Sequence, residues 1–170
     1  MASTYLTRTQ TAGNRKTWTW SGWVKRGNIT NTQMIFMAIS GGAYSVIQFI
    51  GDQIRFFDYN GGFDSQVRTN RVFRDTFSWY NIQVVYNSTE GTTSNRVKIY
   101  VNGVQETSFT TANYPSLNFD GYINADYTHY IGTETATGNY FDGSMSHIHF
   151  IDGTAYDASA FGSTDSTTGE

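Results

Sequence analysis

FSWYNIQVVYNSTEGTTSNRVKIYVNGVQETSF, Phe77 to Phe109, is the stretch whose reading decides the fold. Ile82, Val84 and Tyr86 alternate with Gln83, Val85 and Asn87, the two-residue period of a strand. Val97, Ile99 and Val101 alternate with Lys98, Tyr100 and Asn102 in the same way. Asn102-Gly103 then signals a tight hairpin, because a type I′ turn needs positive φ at both central residues. Ser88 to Asn95, between the strands, has no apolar residue and reads as an exposed connection.

Working outward, strand signals recur along the chain. Thr4 to Thr11 is a short first strand at an edge. TWTWSGWVK, Thr17 to Lys25, puts Trp18, Trp20, Gly22 and Val24 on one face and Thr17, Thr19, Ser21, Trp23 and Lys25 on the other. The first face is core; Trp23 opposite is either a second buried layer or free for other use. Met34 to Ile39 is wholly apolar and central. Ser45 to Ile50 and Gln53 to Phe57 form a hairpin around Gly51-Asp52, followed by a turn-rich loop, Asp58 to Asp64, and a strand over Gln66 to Val72. Thr110 to Thr128 reads as the longest irregular segment, functional or mobile. His129 to Thr133 and Phe141 to Ile151 are the last strands, and Asp157 caps a single helical turn, DASAF.

Composition agrees. Aromatics make up 16% of the 170 residues, which favours strands, and no window shows a helical stripe. Short strands with no helices to cover them must cover one another. The expectation is all-β: one antiparallel two-sheet β-sandwich, a jelly roll over residues 1–162, with 163–170 a polar tail or truncated linker. A net charge of −3 argues against nucleic-acid binding through a basic surface. The absence of cysteine removes disulfides and thiol chemistry. Neither a signal peptide nor a stretch able to insert in a membrane is evident.

The order of these landmarks resembles a laminin G-like domain of the concanavalin A-like lectin and glucanase superfamily. TWTWSGWVK is similar to that family's FTISAWVK strand, WYNIQVVYN (Trp79 to Asn87) to WHHVAVVYD, and VKIYVNG (Val97 to Gly103) to VRLYVDG. Ile131-Gly132 and FDGSMSHIHFID (Phe141 to Asp152) match the closing IG and FKGxIDEVRIYN. The opening AGNRKTWTWSGWVKRGN and the close FIDGTAYDASAFGSTDSTTG further resemble versions encoded by marine bacteriophages. That likeness implies a module on a virion surface or tail, in contact with other virion subunits. The Glu-x-Asp-x-x-Glu strand of the glucanase branch is missing: none of Glu90, Glu106, Glu134 and Glu170 begins it. Glycoside hydrolysis therefore ranks last.

The resemblance makes calcium a candidate cofactor. Asp58, Asn60 and Asp64 are the best local set of hard oxygens, with Asp120, Asn124 and Asp126 second; any turn uses the same residues. Asp142 before Gly143 reads as turn chemistry. His147 and His149, two apart on a strand, could hold zinc or copper but show no third ligand, and an ordinary surface pair explains them too. Sugar binding needs an aromatic platform beside amides and carboxylates. Tyr44, Tyr59, Asn60, Tyr114, Tyr122 and Tyr127 lie in or beside loops, although tyrosines also plug sandwich ends. The leading expectation is a non-catalytic module binding glycans or another cell-surface ligand. The alternative is a structural decoration or spacer domain without a sugar ligand.

Overall fold

The computed structural model describes residues 4–29, 31–135, 138–163 and 167. Twelve strands among them run in order: β1 Leu6–Thr9, β2 Thr17–Arg26, β3 Gln33–Ser40, β4 Ala43–Ile50, β5 Gln53–Asn60, β6 Phe63–Thr69, β7 Tyr80–Asn87, β8 Val97–Val101, β9 Val104–Gln105, β10 Phe109–Asn113, β11 Thr128–Ile131 and β12 Gly143–Asp152. They form a seven-stranded sheet, β1-β11-β3-β4-β5-β6-β10, and a five-stranded sheet, β12-β2-β7-β8-β9, with every pairing antiparallel. This is the expected jelly-roll sandwich. The expected tail at 163–170 lies outside the described residues, Ser163 and Thr167 excepted.

The core sits between the sheets, and period-two alternation fills it. Ile82, Val84 and Tyr86 of β7 face Val101, Ile99 and Val97 of β8 in register, and all six are buried. Asn102 and Gly103 take φ of 50° and 79°, the type I′ geometry their sequence demands. Gly51 and Asp52 do the same for β4–β5, at 51° and 66°. Trp18 stacks on Tyr86 with ring centroids 5.1 Å apart and meets Phe56 of the opposite sheet edge-on at 5.7 Å. Strand β3 is apolar from Met34 to Ile39 because both of its faces are covered there. Phe36 and Ala38 enter the main core, while Met34 and Met37 join Val46 and Phe57 in a second cluster on the outward face.

Three expectations need correction. The turn-rich loop Asp58 to Asp64 is mostly strand: β5 continues to Asn60 and β6 starts at Phe63, joined by a tight turn at Gly61-Gly62. The irregular segment expected over Thr110 to Thr128 begins later, because Phe109–Asn113 pairs with β6. What remains, 114–127, is a plug at one end of the sandwich, with Tyr122, Ile123 and Ala125 buried. Arg15 Nε donates to the Gly121 carbonyl at 2.8 Å, Arg96 Nη1 to the Pro115 carbonyl at 3.0 Å and Ser88 Oγ to the Phe119 carbonyl at 2.7 Å. Ser88 is therefore buried inside a connection expected to be exposed throughout.

Candidate functional site

Trp23 points away from the core, as the alternation of β2 requires, and no second layer covers it: 39% of its surface is exposed. Asn81 of β7 is its direct register partner. On its other side β12 breaks register with β2 between Ser146 and His149, and His147 takes φ 48°. The extra residue of this bulge resets the alternation. Met145, Ile148 and Phe150 can then all pack against the core, although one is odd-numbered and two are even. His147 and His149 both remain exposed on the outer face. Gly22 opposite the bulge leaves room for Ile148, whose Cδ1 would lie 2.4 Å from a Cβ there.

After β12 the chain turns at Gly153, and residues 154–161 run back across the outer face of the five-stranded sheet. Thr19 Oγ1 donates to the Thr154 carbonyl at 2.8 Å and accepts from the Tyr156 amide at 2.9 Å. Gln83 Nε2 donates to the Tyr156 carbonyl at 2.9 Å. The helical turn forms as expected, at Ala158–Ala160, with Asp157 accepting from the Ser159 amide at 3.0 Å. This strap presents Tyr156 and Phe161, whose rings meet edge-on 6.4 Å apart, and Phe161 lies 6.3 Å from His149.

Between sheet and strap lies a groove of about 800 Å³, within the size range of small-ligand sites. Its walls combine the rings of Trp23, Tyr156 and Phe161 with Ser21, Asn81, His147 and His149. His147 Nδ1 pairs with Ser146 Oγ at 2.7 Å, which holds the imidazole. Rings offer apolar area; hydroxyl, amide and imidazole groups offer directed hydrogen bonds. Among the described residues no carboxylate of the kind glycoside hydrolysis uses lines the groove.

The residues singled out from sequence are placed differently. Asp58 is wholly buried on the core side of β5, where Ser45 Oγ donates to Oδ1 and Ser65 Oγ donates to Oδ2 at 2.6 Å. Burial pushes its carboxyl up to about 6, against the pull of those hydroxyls and the Tyr122 amide. Asp64 accepts from the Tyr122 hydroxyl at 2.9 Å, and Asn60 also reaches that hydroxyl. Burial and then Asp64 hold the phenol up at about 12. Asp58, Asn60 and Asp64 therefore do converge, but around Tyr122. Asp120 and Asp126 are exposed, whereas Asn124 turns inward to donate to Asp152 Oδ1 at 2.6 Å. In the first set both Asp58 oxygens and Asp64 Oδ2 accept hydrogen bonds, and in the second Asp120 and Asp126 lie exposed while Asn124 is buried. No group of three His, Cys, Asp or Glu able to hold a metal occurs among the described residues, which leaves the His147 and His149 pair without a third such ligand.

The aromatic set divides too. Tyr44 and Tyr59 stack at 5.0 Å on the outward face of the seven-stranded sheet. Tyr122 and Tyr127 stack at 6.3 Å in the end plug, and Tyr114 packs against the main core. Sequence reasoning noticed Trp23 and the histidines but missed Asn81, Tyr156 and Phe161. No local signal joins those three; only sheet pairing and the returning strap do.

The chain belongs to the concanavalin A-like lectin/glucanases superfamily, whose family profile matches residues 2–159. Solved structures with this fold include domain 4 of AbnA, a GH43 extracellular arabinanase from Geobacillus stearothermophilus, in complex with arabinotriose. It is 17% identical with a TM-score of 0.66, over 89% of this chain and 66% of that one. A heptameric SAP-like pentraxin from Limulus polyphemus is also 17% identical, at TM-score 0.61, over 91% and 71%. Mouse laminin alpha1 domains LG4-5 are 12% identical, at TM-score 0.59, over 91% and 40%. The chain thus spans about two thirds or less of the AbnA and laminin chains. No curated protein matches it.

Proposed function

We propose that this domain is a non-catalytic glycan-binding module whose ligand lies in the groove of the five-stranded sheet. The observation that carries this reading is the open Trp23 ring flanked by Asn81, His147 and His149. A sugar's apolar face stacks on such a ring while its hydroxyls exchange hydrogen bonds with the amide and imidazoles. That one similarly folded domain was solved with arabinotriose supports the class of ligand. Calcium takes no part in these contacts. By the likeness of its opening and close, we place the module outside the cell, on a phage virion surface or tail, among other virion subunits.

A glycan array probed with labelled protein, in calcium and in chelator, tests the reading. Hits are expected in both conditions, weakened about tenfold or more by Trp23→Ala. Blanks in both, or hits indifferent to Trp23→Ala, contradict it. A second reading, a spacer that docks on neighbouring subunits, is favoured by the edges: β1 is exposed throughout, and Val104 of β9 is 63% exposed. Particle imaging that shows these edges paired with other subunits would support it.

A further inference from the structure

The outward face of the seven-stranded sheet carries two guanidinium groups that no carboxylate of the described residues pairs with. Arg55 of β5 and Arg68 of β6 are direct register partners. Both point outward, because Ile54, Phe56 and Val67 beside them enter the inter-sheet core. Like charges directly opposite on neighbouring strands repel. A carboxylate usually relieves such repulsion. Among the described residues the ion pairs are Arg26–Asp52, Arg71–Glu106 and Arg74–Asp52, and neither Arg55 nor Arg68 joins one.

Neutral groups hold the two in place instead. Arg55 lies on the Phe57 ring, 4.4 Å from its centroid, and 5.8 Å from that of Phe63. With the Gln48 amide turned so that its oxygen faces Arg55, that oxygen accepts from Nε at 3.2 Å and Nη2 at 2.7 Å. Arg68 Nη2 donates to the Ile50 carbonyl at 3.3 Å, while its Nε is buried with no partner. Burial lowers the Arg55 pKa, and the Arg68 charge lowers it further. The pair is therefore held together against its own repulsion, in a chain whose net charge is −3. Beside it stand exposed aromatic surfaces: Phe63, 49% exposed, meets Phe57 and Tyr59, each at 5.4 Å.

We propose that Arg55 and Arg68 form a second binding site, distinct from the Trp23 groove, for an oxyanion carried on a polysaccharide: a sulfate ester or a carboxylate. Guanidinium forks match the oxygens of either group in paired hydrogen bonds. The adjacent Phe63 and Tyr59 rings suit a sugar face. A nucleic acid would call for a longer track of cations than one pair supplies.

The test measures affinity of the whole chain for heparin, polygalacturonate and dextran, at about 50 and 500 mM salt. Heparin, polygalacturonate or both should bind at least about tenfold tighter than dextran, and more weakly at high salt. Which of the two binds identifies the oxyanion. Arg55→Gln and Arg68→Gln should each cut that affinity about tenfold, and Trp23→Ala should not. Either substitution removes half of a repelling pair, so an unchanged or raised melting temperature shows that the fold is intact. Dextran binding equally well, or an Arg55→Gln/Arg68→Gln double variant binding as before, overturns the proposal. Tighter binding of a single-stranded DNA oligomer than of either acidic polysaccharide overturns it as well.

Discussion

Asp58 and His129 are buried ionisable groups whose effects on stability run in opposite directions. Burial raises the Asp58 carboxyl from 3.8 to about 6, so the folded chain holds this proton more tightly than the unfolded one. Its contribution is complete below pH 4 and is lost as pH rises through 6. Asp58→Asn removes that loss. Its stability relative to the parent should grow by roughly 2 to 3 kcal/mol between pH 4 and pH 8, since each tenfold gain in proton affinity is worth about 1.4 kcal/mol. Urea unfolding of both proteins across that range measures it. His129 behaves in the reverse sense. Its Nε2 accepts from the Asn124 amide at 3.0 Å, and Nδ1 pairs with the Tyr127 carbonyl at 2.9 Å. Burial first, then the Arg8 charge, lowers its pKa from 6.5, so the unfolded chain takes up a proton that the fold resists. Stability is lost as pH falls below 6.5, and His129→Gln should flatten that acid limb of the melting curve. Ile54, Phe56 and Asp58 share one phase, but the face of Asp58 follows only once β5 is seen to run on to Asn60 rather than end at Phe57. Of its hydroxyl partners, Ser45 is set opposite it by the Gly51-Asp52 turn, whereas Ser65 lies past the Gly61-Gly62 turn, where the register shifts and no local pattern states the pairing.

Hairpins with positive-φ turns were the legible elements: Asn102-Gly103 and Gly51-Asp52 end strands where their sequence says they must. Bulges were not. The β12 bulge follows from apolar residues at 145, 148 and 150, a pattern that a strict period of two cannot seat on one face. β10 was hidden because its residues alternate only weakly between buried and exposed, and it exists by pairing with β6. The start of β12 depends on one glycine. Gly143 has φ 150°, and a Cβ there would stand 2.0 Å from the Lys25 carbonyl oxygen. Gly143→Ala should cost about 3 kcal/mol or more, seen as a lower urea midpoint with an unchanged slope. Gly22→Ala should cost about 1 to 3 kcal/mol, because Ile148 and Trp20 must move aside to admit the methyl.

At the scale of the whole molecule, two layers hide Trp18 and Trp20 and leave two unlike outer faces. One offers a groove with an open indole, the other a guanidinium pair among rings. The layers were legible because alternation is a local property repeated in each strand. The faces were less so: their residues come from strands distant in sequence, and the strap closing the groove is named by no motif. Binding in the groove is the central claim, and Trp23 is its reporter. The most direct measurement is a titration of 15N-labelled protein with an array-positive saccharide, following the indole N–H resonances of the tryptophans. A large shift at Trp23, with Trp18 and Trp20 unmoved, is the predicted result. Shifts centred on the Tyr122 and Tyr127 plug, with Trp23 silent, would contradict it.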